Sequence, residues 1–371
     1  MPASNRRTFL KAAAATAALQ QAAFPQVVPP EQRVYLTGDG VNMSPEEYTR
    51  LLATLSAKAD RYLTGGAVEE LEVRFAKLLG KDRALFFATG TLANQVAVKL
   101  LAGDRKHVLV QEESHLYRDE GDCAQALCGL NLVPLAPGRA TIKVSEIIEA
   151  VDKAGGPPYP VPVGAISIES PVRRVDGRAF DFEEMKKISV FAREKKIGLH
   201  LDGARMYLAS GYTGIAPPAY AALFDTVYVS MYKYFNAPFG AILAGPRPLI
   251  EAAEFLRHQF GGMIRHGWES AAIALHYSEG FEERYRKSVH SGEELLSRLE
   301  QKKIQVHRLE GGTNVFQVEF RSAPDAGFQK RLADRGIMIA KPAARAASIQ
   351  VNETILRRAP EQIAEELVKA L

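Results

Sequence analysis

Apolar positions along the chain change period repeatedly. Short β-rich runs, Ala84 to Phe87, Val108 to Val110, Ala165 to Ile168, Ile197 to Leu201 and Thr226 to Val229, are separated by stretches whose apolar residues return every three or four positions. Strands alternating with amphipathic helices predict a mostly parallel sheet, because parallel neighbours need a crossover and a helix supplies it. Asp181 and Glu184 form a capping-box pattern ahead of Phe182, Met185, Ile188 and Phe191, which share one helical face. That segment reads as a crossover helix. Beyond Gly245 the rhythm changes to long polar helices, including one from Trp268 to about Lys303. Strands around Val306 and Val315 and a closing helix from Glu361 follow. The pattern predicts an α/β fold with a large domain at residues 31–245, built on a mostly parallel mixed sheet, and a smaller C-terminal α+β domain at 246–371.

The first thirty residues break this pattern. Asn5-Arg6-Arg7-Thr8-Phe9-Leu10-Lys11 precedes an alanine-rich run from Ala12 to Leu19, and Pro25, Pro29 and Pro30 mark a junction. The arrangement resembles a twin-arginine export signal, so residues 1–30 are read as signal and linker and the mature chain as periplasmic or otherwise exported. A basic amphipathic N-terminal tail would look similar. The apolar run is too short to span a bilayer, and no later stretch reaches the roughly 18 uninterrupted apolar residues that a spanning helix needs. No membrane partner is expected for the mature form.

Composition narrows the class further. Hydrophobic residues make up 47% and charged residues 24%, as in globular enzymes rather than disordered or fibrous chains. The net charge of +4 owes three units to Arg6, Arg7 and Lys11, and without them 44 basic side chains face 43 acidic ones. A nearly neutral body argues against nucleic acid as a partner. Cys123 and Cys128 stand five apart in a helical stretch, too distant for easy bridging, and no metal knuckle is present.

Three features sit at the predicted C-terminal ends of strands, where open α/β sheets place their ligands. Phe86-Phe87-Ala88-Thr89-Gly90-Thr91 leads from a strand into a helix whose apolar stripe is Leu92, Val96 and Leu100. Gly90 permits close approach of a ligand, the helix start offers free amides, and Thr91 adds a hydroxyl, as a phosphate cup requires. An ordinary helix cap would use the same residues. Leu199-His200-Leu201-Asp202-Gly203-Ala204-Arg205 ends a buried strand in a carboxylate, which needs a cationic partner such as Arg205. Val227-Tyr228-Val229-Ser230-Met231-Tyr232-Lys233 closes another apolar strand on a lysine, and lysine is rarely buried without cause. Alone, the acid could be a turn salt bridge and the lysine a snorkelling rim residue. Together they match what pyridoxal phosphate requires: an amine for the aldehyde, an acid for the pyridine nitrogen and backbone donors for the phosphate.

From about Leu36 to at least Asn314 the chain resembles the threonine aldolase and aromatic amino acid β-eliminating lyase group of fold-type-I pyridoxal-phosphate enzymes. The resemblance is carried by Glu70-Leu71-Glu72, Leu85-Phe86-Phe87, Gly90-Thr91-Leu92-Ala93-Asn94-Gln95, Glu113-Ser114-His115, His200 to Arg205, and Lys233 with Ala237-Pro238. It implies that Lys233 is the Schiff-base lysine, Asp202 the partner of the ring nitrogen, and Gly90 and Thr91 the phosphate binders. It also implies that His115 lies over the pyridine face as a candidate base, that Arg205 meets the substrate carboxylate or the cofactor, and that Tyr62 stands near the cofactor. A homodimer or homotetramer is implied as well, with sites at the subunit boundary and Arg257 to Arg265 as the interface loop.

Departures from the family pattern touch the substrate. Val172 stands where the pattern has a histidine for the β-hydroxyl, and Gly38 where it has a serine for the carboxylate. The C-terminal arginine has no clear counterpart, although Arg345 is nearby in sequence. Tyr232, Tyr234 and Phe235 replace small residues around the lysine and suggest a more aromatic pocket. The expected reaction is retro-aldol cleavage of a β-hydroxy-α-amino acid to glycine and an aldehyde. The alternatives are β-elimination to pyruvate and ammonia and, more remotely, a non-catalytic periplasmic binding protein on the same fold. Natural substrate and stereochemistry are not readable from the residues.

Overall fold

The computed structural model describes residues 28–371. The twin-arginine segment lies outside the described residues. Twelve strands are present among those described: β1 (Val34–Leu36), β2 (Arg83–Phe87), β3 (His107–Gln111), β4 (Asn131–Leu135), β5 (Val163–Glu169), β6 (Gly198–Asp202), β7 (Thr226–Ser230), β8 (Ala241–Gly245), β9 (Gln305–His307), β10 (Val315–Glu319), β11 (Ile337–Ile339) and β12 (Ala346–Gln350). β2 to β8 form one sheet in the order β2-β8-β7-β6-β5-β3-β4. β8 runs antiparallel to both of its neighbours and every other pairing is parallel. Each strand expected in the large domain is found; β6 starts and ends one residue later than the apolar run suggests, and the others are slightly longer.

Side chains alternate between the two faces of this sheet, and each face has its own apolar layer. Phe86, Ile168, Leu201 and Val229 pack with the helices Gly66–Leu79, Phe182–Lys195 and Trp268–Ser278. Leu85, Phe87 and Leu243 pack on the opposite side with the helices Gly90–Ala102 and Arg247–Gln259. The crossover helix at Phe182–Lys195 starts on Asp181, whose carboxylate accepts from the amides of Glu183 and Glu184. Such a cap stabilises a helix by about 1 kcal/mol. Only half of the capping box forms. Glu184 does not reach back to Asp181 but accepts from the Val144 amide at 2.8 Å, tying two helices together.

Segments on both sides of residue 245 pack across the two cores. The helices Arg247–Gln259 and Trp268–Ser278 lie beyond residue 245 yet pack into the large-domain layers through Ile250 and Ala253, and through Ala271 and Ala274. In the other direction, β1 pairs parallel with β11 and belongs with the C-terminal domain. The long helix expected from Trp268 is two helices, parted at Gly280 with φ +63° and resumed at Phe281–Gln301. Phe281 and Tyr285 of this second helix join the large core, whereas Leu295, Leu296 and Leu299 join the core of the small domain. The small domain contains an antiparallel sheet in the order β12-β10-β9 and the helix Pro360–Ala370. No helix among the described residues is long and apolar enough to cross a membrane.

Candidate active site

Parallel register lines up the ends of three strands. Glu169 on β5 is the Cα partner of Asp202 on β6, which is the partner of Tyr228 on β7. These ends open into a small cavity lined by Gly90, Thr91, His115, Glu169, Asp202, Ala204, Arg205, Tyr228, Tyr232 and Lys233. Six of the seven residues singled out from sequence are therefore together. Larger cavities, beside Leu109 and Val133 and beside Phe180 and Phe182, contain none of them. Size is thus a poor guide to chemistry here.

Lys233 stands three residues past β7, in the loop that returns to β8. Among the described residues no ion pair or hydrogen bond holds its Nζ, which lies 5.5 Å from the centre of the Tyr232 ring. Burial, and then the nearby Arg205 guanidinium, lower its pKa from the ordinary lysine value to about 8, against the pull of Asp202, Asp39 and Glu169. The loop is pinned from outside. Asn236, at φ +56°, accepts the Val41 amide at 2.7 Å, and the Tyr48 hydroxyl donates to the Asn236 carbonyl at 2.9 Å. Gly40 is pressed so closely that a Cβ there would lie 2.4 Å from the Lys233 carbonyl oxygen.

Asp202 is 3% exposed and accepts from Asn94 Nδ2 at 2.8 Å and from the Ala204 amide at 3.1 Å. Arg205 is not its partner, contrary to the turn salt bridge considered from sequence. Arg205 Nε donates to Asp39 at 2.8 Å. Gly90 begins the helix after the Thr89 cap, and a Cβ on it would fall 2.1 Å from the Tyr228 hydroxyl oxygen. The first amides of that helix have no partner within it; Leu92 donates to the Thr89 hydroxyl, and Gly90 and Thr91 line the cavity. His115 begins a short helix, His115–Arg118, where its amide donates to Glu169 at 2.6 Å and its Nδ1 meets Glu120 at 2.9 Å. The bond to Glu120 raises the pKa of the ring, while burial opposes the rise.

Tyr62 is the exception. It lies on the loop before the helix Gly66–Leu79, 45% exposed, with its amide bonded to the Arg265 carbonyl at 2.9 Å, and it does not line the cavity of its own chain. The segment read as an interface loop begins indoors: Arg257 is fully buried and donates to the Phe86 carbonyl. Of the three aromatic residues around the lysine only Tyr232 lines the cavity. Tyr234 and Phe235 turn away into a fully buried cluster with Tyr207 and Phe281, at ring separations of 4.6–5.9 Å. Val172 is buried and bonded through its amide to the Arg178 carbonyl, and Arg345 pairs with Glu319 on β10. Glu120, Glu169 and Asn94 were not singled out as site residues. Glu169 carried the same signal as Asp202, an acid ending an apolar run; Glu120, between Asp119 and Gly121, reads as an exposed turn.

A family profile described as beta-eliminating lyase matches residues 36–320. The chain belongs to the beta-eliminating lyase family. Its relatives include a probable low-specificity L-threonine aldolase of Schizosaccharomyces pombe, 29% identical over 64% of this chain and 63% of that protein. A low-specificity L-threonine aldolase of Candida albicans is 32% identical over 56% of this chain and 55% of that protein. The matches thus span about three-fifths and about half of the length of these two relatives. Among solved structures, a putative L-allo-threonine aldolase from Listeria monocytogenes shares 26% identity with a TM-score of 0.77, over 92% of this chain and 97% of that one. The family consists of pyridoxal-phosphate lyases. The residues present fit that group: an unpaired, desolvated amine, a buried carboxylate on an adjacent strand, and the helix start at Gly90 and Thr91 lining the same cavity.

Proposed function

We propose that this beta-eliminating lyase cleaves a β-hydroxy-α-amino acid by retro-aldol reaction to glycine and an aldehyde. The observation that carries the reading is the desolvated, unpaired Lys233 amine in one cavity with Asp202, His115 and the Gly90 helix start. Pyridoxal phosphate, when bound, supplies the electron sink for the bond broken at Cα. The residues that would hold it are Lys233 through its amine, Asp202 at the pyridine nitrogen, and Gly90 and Thr91 at the phosphate. Asp202, a buried acceptor already fixed by Asn94 and Ala204, would favour the protonated form of that nitrogen. Arg205, oriented by Asp39, binds the substrate carboxylate or the cofactor, and His115 accepts the proton of the β-hydroxyl.

A second reading is β-elimination to pyruvate and ammonia, favoured by one observation: Val172, fully buried, cannot exchange a proton with a β-hydroxyl. The purified chain, supplied with pyridoxal phosphate and a panel of β-hydroxy amino acids and β-substituted alanines, separates the readings by product. Glycine with an aldehyde supports the first, and pyruvate with ammonia replaces it by the second. No product from any substrate refutes both and leaves the binding protein. Tyr62, remote from its own cavity, is assigned to the site of a neighbouring copy in a homodimer or homotetramer. Residues 1–30 are assigned to twin-arginine export, a reading supported by Arg6-Arg7 ahead of the alanine run, with a periplasmic or otherwise exported enzyme as its consequence.

A further inference from the structure

A second buried carboxylate stands behind the histidine side of the cavity. The Glu120 side chain is fully shielded from solvent, and its Oε1 meets His115 Nδ1 at 2.9 Å and Asn94 Nδ2 at 2.9 Å. Asn94 Nδ2 also donates to Asp202 Oδ2 at 2.8 Å. Carboxylates without a proton only accept, so the Asn94 nitrogen must face both acids and its Oδ1 must face His200 Nε2, 3.0 Å away. Burial lowers the His200 pKa to about 4, so this ring is neutral. Because Asn94 Oδ1 can only accept, the single ring proton of His200 is on Nε2, and its Nδ1 accepts from the Thr226 hydroxyl at 2.8 Å. Donor direction is thereby set along the whole chain, from Thr226 through His200 and Asn94 to Asp202 and Glu120. One amide serves two acids, and the acid beside His115 is left with capacity to accept from the ring.

We propose that Glu120, held in place by Asn94, is the positioning residue that keeps a proton on His115 Nδ1 and leaves Nε2 as the nitrogen free for the reacting substrate. The role of His115 toward substrate rests on the lyase reading above, whereas its tautomer does not. The groups facing His115 are Glu120, Asp202 on β6 and Glu169 on β5, all acids that raise its proton affinity against burial. Those facing Glu120 are His115, Asp202 and Cys123, whose Sγ lies 3.6 Å from Oε2. Burial and Glu120 push that thiol up to about 12, so it stays protonated and donates.

The test is nitrogen-15 NMR titration of His115 in the cofactor-free full chain, assigned with His115→Asn. Neutral His115 should carry its proton on Nδ1 and titrate above ordinary histidine. Glu120→Gln, which keeps the shape of the side chain, should lower the His115 pKa by about one unit or more. In the cofactor-loaded enzyme the same variant should lower kcat on the order of tenfold or more, move the acid limb of the pH profile with the NMR pKa, and leave KM within about twofold. A neutral wild-type His115 protonated on Nε2 overturns the proposal without any variant. So does a His115 pKa unchanged by Glu120→Gln. If the wild-type chain fails to bind pyridoxal phosphate while the NMR results hold, the lyase reading falls and the assignment of Glu120 stands.

Discussion

Gly90→Ala isolates the cup from the rest of the site. The added Cβ would stand 2.1 Å from the Tyr228 hydroxyl oxygen and 2.5 Å from its Cζ. Ordinary contact begins near 3.4 Å, so about 1.3 Å must be absorbed. Tyr228 is 2% exposed on a central strand and can yield only into the cavity that it lines, so either its ring or the start of the helix Gly90–Ala102 must move. Overpacking of this kind costs about 1–3 kcal/mol, and an anion held by backbone amides feels such a displacement directly. The expected outcome is a thermal midpoint lowered by several degrees and affinity for pyridoxal phosphate weakened by about tenfold or more, read by titrating the visible absorption of the loaded protein. Adding Tyr228→Phe removes the hydroxyl and leaves Cζ at 2.5 Å as the nearest atom, reducing the misfit to about 0.9 Å. Part of the affinity should return. Wild-type cofactor affinity in Gly90→Ala, or no recovery in the double variant, would refute the steric account of this glycine.

Three further outcomes follow from the same geometry. With its pKa near 8, Lys233 is uncharged in about one molecule in eleven at pH 7, roughly 300 times the fraction of an ordinary lysine. Capture of pyridoxal phosphate by the cofactor-free chain should therefore rise about tenfold per pH unit below 8 and level off above it; a rise that continues to pH 10 counts against the desolvated amine. The sign for stability is the reverse of a salt-bridged lysine: the penalty for burying the charge is full below pH 8 and vanishes as pH climbs toward the unfolded value. Asp202→Asn should keep cofactor affinity within about tenfold yet cut turnover by on the order of a hundredfold or more, and equal losses of both would remove its assigned role. Phe281→Ala opens the aromatic cluster behind Lys233 and should cost about 3–5 kcal/mol in urea unfolding; a loss below about 1 kcal/mol would show that the cluster is not tightly packed.

Much of this architecture was legible in the chain because its signals are local. Buried central strands announce themselves as apolar runs, and a charged residue ending such a run, Asp202 or Lys233, has no reason to be there except chemistry. What was not legible depends on distant partners. Glu120 looks solvated until the fold sets it against Asn94 and His115, and Tyr234 and Phe235 look like pocket walls until Phe281, almost fifty residues later, takes them into the core. How the segments on either side of Gly245 pack was hidden for the same reason. Nothing near Gly245 says that the next two helices will cover the sheet already built, and β1 has too few residues to reveal a partner some three hundred positions away.

The strip from Thr37 to Asn42 ties two bodies together. At one end it continues β1, which is zipped to β11, and Gly38 bonds to the Gln350 side chain on β12; at the other, Gly40 is wedged beneath the carbonyl of Lys233 and Asp39 grips Arg205. Few residues separate these anchors, so contacts to the small domain and to the Lys233 loop share one short strip. The same short strip therefore fixes where the small domain sits and where the reactive amine and its guanidinium neighbour stand.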